Sequence, residues 1–289
     1  MAFDASAPDL TVGVVGTGTM GRGIMQVAAE GGLRVLAFDA KPGAAQAAVD
    51  FVARMLQRAA AKGSIAPEAV AASLERITLA QGLEEVATAN LVIEAIVERL
   101  DVKQALFAKL DALAGPATIL ASNTSSIPIS SLAAATGRPD RVIGMHFFNP
   151  VPLMGLVEVV RGLDTSDETA AAIVELAEEL GKTPAEARDL PGFVSNRILM
   201  PFINEAAYAL LEGVGDAESI DTIARLGFNH PIGPLALADL IGLDTCVAIM
   251  DVLHGGLGSP KYAPCPLLRQ YVQAGRLGRK SGRGFYRYG

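Results

Sequence analysis

Thr11-Val-Gly-Val-Val-Gly16-Thr-Gly18-Thr-Met-Gly21-Arg-Gly-Ile-Met-Gln-Val-Ala-Ala-Glu30 carries the strongest structural signal in this chain. An apolar run typical of a β-strand leads into a G-x-G-x-x-G motif, and an alanine-rich run typical of a helix follows it. Gly16 permits a tight turn, Gly18 permits the backbone to approach a pyrophosphate, and Gly21 permits the helix to pack closely on the strand. The helix N-terminus then faces the anion. The stretch therefore predicts a dinucleotide-binding loop, which we call the glycine loop (residues 16–21).

A second apolar run, Arg34–Phe38, ends in Asp39. An acidic group at this position accepts hydrogen bonds from the ribose hydroxyls of the adenosine and repels a 2′-phosphate, which favours NAD over NADP. Lys41 lies two residues later and softens that preference. Two alternatives stay open, namely a compact βα turn without a nucleotide and a flavin in place of NAD.

Apolar runs alternate with helical patterns through the first part of the chain, which predicts βαβ units and a parallel sheet covered on both faces. We expect strands at Thr11–Val15, Arg34–Phe38, Leu91–Glu94, Thr118–Ser122, Val142–Phe147 and Glu158–Arg161. This pattern predicts an α/β domain of the Rossmann type at residues 1–190.

A breaker cluster at Asp189-Leu-Pro-Gly192 marks the expected domain boundary. Beyond it the apolar spacing is helical, and we expect helices at Phe193–Leu211, Ala217–Arg225 and Pro234–Leu253. The sequence therefore predicts an all-α C-terminal domain at residues 191–289.

Composition excludes several classes of function. The net charge of −7 argues against a nucleic-acid partner. The two cysteines, Cys246 and Cys265, match no metal signature and form no disulfide framework, so we expect no bound metal and a cytoplasmic location. Aspartates interrupt the most apolar long stretch, Pro234–Leu253, so we expect no membrane span and a soluble protein.

His146 and Glu158 form a candidate proton-transfer pair. His146 follows the apolar run Val142–Met145, and Glu158 lies inside the next β-branched run, so a strand, a turn and a returning strand can bring them together. A carboxylate against the far ring nitrogen fixes the tautomer and stabilises the imidazolium. The alternative is a buried structural histidine, since two phenylalanines follow it.

Four motifs taken together resemble the 3-hydroxyacyl-CoA dehydrogenases, and within them the short 3-hydroxybutyryl-CoA dehydrogenases. The motifs are Ser122-Asn-Thr-Ser-Ser126, His146-Phe-Phe-Asn-Pro150, Leu156-Val-Glu158 and Pro191-Gly-Phe-Val-Ser-Asn-Arg197. The resemblance extends over nearly the whole chain. It implies NAD-dependent oxidation of an L-3-hydroxyacyl-CoA to the 3-oxoacyl-CoA, or the reverse reduction, by a homodimer.

The same resemblance implies roles for individual residues. His146 is implied to be the catalytic base with Glu158 as its orienting partner, while Ser125 and Asn196 hold the substrate oxygens. Glu98, Lys103 and Asn123 are implied to contact the cofactor. For these three a charged loop, a solvated helix face and an Asx turn remain as alternatives. We also expect cofactor contacts from Thr19, Met20, Ala95 and Asn149.

Arg54, Arg58 and Lys62 recur at four-residue intervals and would form one basic ridge on a helix. The ridge suits the phosphates of coenzyme A, although a solvated helix face gives the same spacing. Two other classes of function stay open: a related dehydrogenase that acts on a sugar acid of the L-gulonate type, and a non-catalytic relative similar to lens crystallins.

Overall fold

The computed structural model describes residues 4, 5, 7 and 9–289. The chain forms two compact units, of which the first ends at Asp189 and the second begins at Leu190.

The first unit is built on one eight-stranded sheet with the strand order β3-β2-β1-β4-β5-β6-β7-β8. The strands are β1 Thr11–Val15, β2 Arg34–Phe38, β3 Ile77–Leu79, β4 Leu91–Glu94, β5 Ile119–Ser122, β6 Val142–Phe147, β7 Leu156–Arg161 and β8 Thr183–Arg188. All neighbouring strands are parallel except β6 and β7, which are antiparallel. The sheet is therefore mixed, where the sequence predicted a parallel one.

Seven helices connect the strands in the described part of this unit. They are α1 Thr19–Glu30, α2 Ala44–Ala61, α3 Pro67–Glu75, α4 Leu83–Val86, α5 Leu100–Leu113, α6 Ile129–Ala133 and α7 Asp167–Glu179. The central strands β4, β5 and β6 are buried along their whole length. This explains why they read as continuous apolar runs without alternation.

The second unit is helical in its described part. Its helices are α8 Ser195–Leu211, α9 Ala217–Gly227, α10 Pro234–Ile241, α11 Leu243–Leu257 and α12 Pro266–Gln273. Their apolar faces enclose a core that includes Met200, Ile203, Leu243, Met250 and Leu268. The prediction of an α/β domain followed by an all-α domain is thus confirmed.

Several predicted boundaries are wrong. Pro234–Leu253 was expected to be one helix, but Gly242, with φ of 104°, separates α10 from α11. A positive φ at this glycine ends the hydrogen-bonded helix although the apolar spacing continues past it. Helix α8 begins at Ser195, because Phe193 has φ of 50° and cannot join it. Strand β5 starts one residue later than Thr118, and β7 starts at Leu156 instead of Glu158.

A buried carboxylate fastens the end of the chain to the second unit. Asp239 is 1% exposed and accepts hydrogen bonds from the backbone N–H groups of Phe285 and Tyr286 and from the hydroxyl of Tyr288, each at 2.9 Å. Burial and the hydrogen bond to Asp239 raise the pKa of Tyr288 to about 12. The glycine-rich end of the chain is therefore a packed part of this unit.

Candidate active site

The glycine loop joins β1 to α1 with a geometry that only glycine fits at two positions. Gly16 has φ of +90°, and a Cβ added there would lie 2.7 Å from the carbonyl oxygen of Ala95. A Cβ added at Gly21 would lie 1.8 Å from the carbonyl oxygen of Gly16. These two glycines let the strand, the loop and the helix approach one another closely.

Gly18 differs from both, because a Cβ added there would meet no atom within 4 Å. It precedes the first residue of α1, Thr19, and no side chain caps this helix N-terminus. The first turn of α1 carries no acidic residue. Open space at a helix N-terminus with unsatisfied N–H groups fits the pyrophosphate of a dinucleotide, and Thr19 and Met20 lie in that first turn.

Asp39 follows β2 and is tied to the glycine loop. Its Oδ2 accepts hydrogen bonds from the N–H of Thr17 at 2.8 Å and from the hydroxyl of Thr17 at 3.0 Å. Its Oδ1 accepts from the N–H of Lys41 at 2.9 Å. Partial burial would raise the pKa of Asp39, but these hydrogen bonds outweigh it and hold the pKa below the ordinary value. The carboxylate is therefore charged and fixed at the strand end where a ribose would be recognised.

His146 and Glu158 are direct partners in the antiparallel pairing of β6 and β7. Residues opposite each other in such a pair project to the same face of the sheet. The His146 Nδ1 lies 3.0 Å from the Glu158 Oε2, and both residues are buried, at 6% and 3% exposure. A carboxylate accepts the Nδ1–H and so leaves Nε2 as the ring nitrogen that can take a proton.

Ser125 stands on the other side of the imidazole. It follows β5, and its Oγ lies 3.2 Å from the His146 Nε2. Ser125, His146 and Glu158 thus form one line of polar groups that runs from the segment after β5, past the end of β6, to β7. A substrate oxygen placed beside Nε2 would have a hydroxyl and a proton acceptor at hand.

Asn123 has a role that the sequence did not suggest. Its side-chain oxygen accepts a hydrogen bond from the N–H of Phe147 at 2.8 Å, and the residue is 8% exposed. This bond ties the end of β5 to the end of β6, next to His146. This oxygen does not form the Asx turn that was the alternative for Asn123. The expected cofactor contact of Asn123 stays a prediction.

Lys103 is buried, so its interpretation as part of a solvated helix face is wrong. Its side chain is 1% exposed, and its ammonium lies 2.7 Å from Glu94 Oε1 and 3.1 Å from Glu98 Oε2. Glu94, which ends β4 and is fully buried, was not among the predicted site residues. The signal for it was present, since an acidic residue closing a buried strand requires a buried partner.

The remaining predicted cofactor residues lie at strand ends of the first unit. Ala95 follows β4, and its N–H donates to the carbonyl of Val15 at the end of β1. Asn149 is exposed in the segment after β6. Both positions lie where ligands of α/β sheets bind, beyond the carboxyl ends of the strands.

Asn196 belongs to the second unit. It lies in the first turn of α8 and is 8% exposed. Its contact with the substrate oxygens stays a prediction.

The basic ridge is formed on α2 and just beyond it. Arg54 and Arg58 lie in the helix, Lys62 is its C-terminal cap, and all three are exposed. Arg22 of α1 was not among the predicted residues, and its guanidinium carbon lies 3.7 Å from the ring centroid of Phe51 on α2. A further cation therefore lies beside the helix that carries the ridge.

Among the residues that the structure describes, no cluster of three or more histidine, cysteine, aspartate or glutamate side chains is arranged to hold a metal ion. Within residues 4, 5, 7 and 9–289, none of the helices has the length and apolar character needed to cross a membrane.

Comparison with known proteins matches both units. Residues 11–190 match the family model described as 3-hydroxyacyl-CoA dehydrogenase, NAD binding domain, and residues 192–288 match 3-hydroxyacyl-CoA dehydrogenase, C-terminal domain. The chain is 57% identical over 275 residues to a probable 3-hydroxybutyryl-CoA dehydrogenase of Bacillus subtilis (strain 168), covering 95% of this chain and 96% of that one. It is 51% identical to a 3-hydroxybutyryl-CoA dehydrogenase of Bradyrhizobium diazoefficiens, covering 96% and 94%.

A solved structure gives the same result. The crystal structure of (S)-3-hydroxybutyryl-CoA dehydrogenase from Ralstonia eutropha matches with a TM-score of 0.94 and 50% identity, covering 96% of this chain and 99% of that one.

Proposed function

The chain belongs to the 3-hydroxyacyl-CoA dehydrogenase family and is an NAD-dependent oxidoreductase, and from this premise we propose that its substrate is a short L-3-hydroxyacyl-CoA. The preferred compound is 3-hydroxybutyryl-CoA, which is oxidised to acetoacetyl-CoA or formed from it by reduction. The proposal rests on the line Ser125–His146–Glu158. In it the His146 Nε2 lies 3.2 Å from the Ser125 Oγ, and the His146 Nδ1 lies 3.0 Å from the Glu158 Oε2.

His146 moves the proton of the reaction. In the oxidation its Nε2 takes the proton of the substrate hydroxyl while the hydrogen on C3 leaves as a hydride. In the reduction the same nitrogen returns the proton to the carbonyl oxygen. Glu158 holds the ring by its Nδ1 and stabilises the imidazolium in both directions.

The residues of the glycine loop fit the cofactor. NAD, when bound, supplies the hydride acceptor, and NADH the donor. Gly18 and the first turn of α1 would receive the pyrophosphate, and the charged Asp39 would bind the adenosine ribose. Glu98, Asn123 and Asn149 remain proposed contacts around the rest of the cofactor.

Ser125 and Asn196 are proposed to hold the substrate oxygens. Hydride transfer needs C3 aligned on the cofactor, so the groups that fix the oxygen also fix the reacting carbon. For Ser125 the support is its position against Nε2 of His146. For Asn196 the support is its match to the family motif.

The experiment that tests the function follows NADH absorbance with acetoacetyl-CoA, with free acetoacetate and with L-gulonate, the last supplied with NAD. We expect turnover with acetoacetyl-CoA and at most traces with the other two, because the thioester brings the coenzyme A phosphates to the protein. Activity confined to L-gulonate would overturn the proposed substrate in favour of a sugar acid.

The exposed cations of α2 are proposed to bind those phosphates. The double substitution Arg54→Ala and Arg58→Ala is expected to raise KM for acetoacetyl-CoA by about tenfold at low salt, since two exposed charge contacts contribute about 1 kcal/mol or less each. The increase should shrink at high ionic strength because salt screens exposed charges. Steady-state kinetics at two salt concentrations measure it.

A matched control uses cations outside the ridge. Arg276→Ala and Arg283→Ala remove two positive charges from the second unit and should leave KM close to the wild-type value. An unchanged KM in the Arg54/Arg58 variant at low salt would reject the ridge as the phosphate site.

We further propose that the protein is a cytoplasmic homodimer. Large apolar side chains are exposed on the second unit, among them Ile223 and Leu226 on α9 and Phe228 after it. Apolar groups in such number are typical of a protein interface. Light scattering should give twice the chain mass of 30.0 kDa, and the chain mass itself would contradict the dimer.

A further inference from the structure

Three charged residues form a cluster beneath the turn that carries Ser125. Lys103 of α5 lies with its Nζ at 2.7 Å and 2.9 Å from the two carboxylate oxygens of Glu94, and at 3.1 Å from the Oε2 of Glu98. Glu94 is 0% exposed and Lys103 is 1% exposed. We call Glu94, Lys103 and Glu98 the buried charge cluster.

The inner part of the cluster is fully hydrogen-bonded. Besides the ammonium, the Glu94 carboxylate accepts from the N–H of Ile96 at 2.7 Å and from the hydroxyl of Ser122 at 2.7 Å. A buried ion pair is tolerated only when its geometry is good and its remaining lone pairs are satisfied. Both conditions hold here, so Glu94 fixes the position of the ammonium.

The outer part of the cluster organises the turn at residues 124–126. The Oε1 of Glu98 accepts from the hydroxyl of Thr124 at 2.6 Å, from the N–H of Ser125 at 2.9 Å, and from the N–H and hydroxyl of Ser126, both at 3.1 Å. Burial would raise the pKa of Glu98, but the charge of Lys103 and these hydrogen bonds hold the pKa below the ordinary value. A charged carboxylate thus gathers four donors from three consecutive residues.

We propose that the buried charge cluster positions Ser125 for the reaction: Glu94 fixes Lys103, Lys103 orients Glu98, and Glu98 holds the turn so that the Ser125 Oγ stays against the Nε2 of His146. The inference rests on the proposed function, in which Ser125 holds the substrate oxygen. It makes Lys103 a positioning residue, since its ammonium lies between two carboxylates.

The first test neutralises Glu94 and Lys103 together, so that neither of these two buried positions keeps an unpaired charge. Glu94→Gln with Lys103→Met keeps the size of both side chains and replaces two charges by neutral groups, which buried sites often tolerate. We expect kcat with acetoacetyl-CoA to fall about tenfold, as for a coupling of 1–2 kcal/mol. This kcat is measured at saturating NADH, so that a change in cofactor affinity does not enter it.

A neighbouring ion pair gives the matched control. Arg99 and Asp101 contact each other at 2.5 Å just beyond Glu98, but their side chains are 66% and 67% exposed. Arg99→Met with Asp101→Asn should leave kcat and the Kd for NADH at wild-type values, because exposed pairs contribute little.

Glu98→Gln provides a second variant that leaves the buried pair intact, in case the double variant does not fold. It should lower kcat about tenfold at saturating NADH, where any change in cofactor affinity does not enter kcat. If instead the Kd for NADH rises tenfold while kcat at saturating NADH is retained, the cluster contacts the cofactor and the proposal is wrong.

A double-mutant cycle between Glu98 and Ser125 distinguishes a positioning role of Glu98 from a general effect on the structure. In a Ser125→Ala background, Glu98→Gln should cause no further loss of kcat, because its effect passes through the serine hydroxyl. Independent, additive losses would overturn the proposal.

A spectroscopic readout does not depend on activity. The chain has 3 histidines, so the ¹⁵N signal of His146 Nε2 can be assigned by comparison with His146→Gln. We expect Glu98→Gln and Ser125→Ala to shift this signal in the same direction, and the Arg99/Asp101 control to leave it in place. A signal that stays in place in Glu98→Gln would refute the positioning role. A shifted signal in a protein without acyl-CoA activity would reject only the proposed function.

Discussion

Replacing His146 by glutamine is expected to lower kcat for acetoacetyl-CoA reduction by about 10²- to 10⁴-fold, the usual contribution of a positioned acid–base group. Glutamine has a similar length and can hydrogen-bond to Ser125 and Glu158, but it cannot take or return a proton at neutral pH. The glycine loop and Asp39 are untouched, so the Kd for NADH should stay within about twofold of wild type. Steady-state kinetics and fluorescence titration measure the two quantities.

His254→Gln is the matched control. His254 is exposed in the last turn of α11 in the second unit, and its replacement should leave kcat unchanged. A His146→Gln variant that keeps more than about one tenth of the wild-type kcat would show that another group moves the proton.

Gly21→Ala is expected to disrupt the glycine loop even without cofactor. The added methyl would lie 1.8 Å from the carbonyl oxygen of Gly16, so α1 must move away from β1. Overpacking of this kind costs about 3 kcal/mol, which corresponds to a melting temperature lower by roughly 6–12 °C for a domain of this size. NADH binding should be lost with it. Thermal unfolding of the cofactor-free protein and NADH titration measure both effects.

Gly18→Ala is expected to weaken NADH binding without destabilising the glycine loop. A Cβ at this position meets nothing within 4 Å, and Gly18 has φ of −64°, which alanine adopts. The melting temperature without cofactor should therefore stay unchanged. The Kd for NADH should rise about tenfold or more, because the methyl lies where the pyrophosphate approaches the backbone. Unchanged NADH affinity in Gly18→Ala would place the pyrophosphate elsewhere.

The glycine loop and the His146–Glu158 pair were predictable because each depends on local sequence. The loop has its strand, its glycines and its helix in one window, and Asp39 closes the next strand. His146 and Glu158 lie on two β-branched runs joined by a turn, and such runs pair as antiparallel neighbours. The register that places the two residues opposite each other was left open by the sequence.

The short edge strands were not predictable in the same way. Strand β8, Thr183–Arg188, contains a proline and has mostly exposed or half-buried residues, so it lacks the apolar signal of a strand. Proline is tolerated there because the strand lies at the edge of the sheet. Strand β3 has three residues. Strand β3 forms by pairing with β2 and strand β8 by pairing with β7, and the sequence of neither has an apolar pattern typical of a strand.

The buried charge cluster was missed for a related reason. Lys103 lies on a helix whose sequence gives no sign of which face is buried, and Glu94 lies on a strand nine residues earlier. Only the packing of α5 on the sheet brings the ammonium to the carboxylate. A charged residue is mostly exposed, so its spacing alone favours the solvated interpretation.

Glu158→Gln removes the carboxylate that, in the proposed mechanism, makes His146 a working base. Glutamine keeps the size of the side chain opposite His146 in β7 and removes only the charge. In hydrolase triads the corresponding change lowers turnover by about 10⁴-fold, and we expect a loss of at least about 100-fold here. The measurement is kcat for acetoacetyl-CoA at saturating NADH, with the Kd for NADH as reference. We expect this loss with an unchanged Kd, whereas a kcat within about twofold of wild type would show that His146 works without the Glu158 carboxylate.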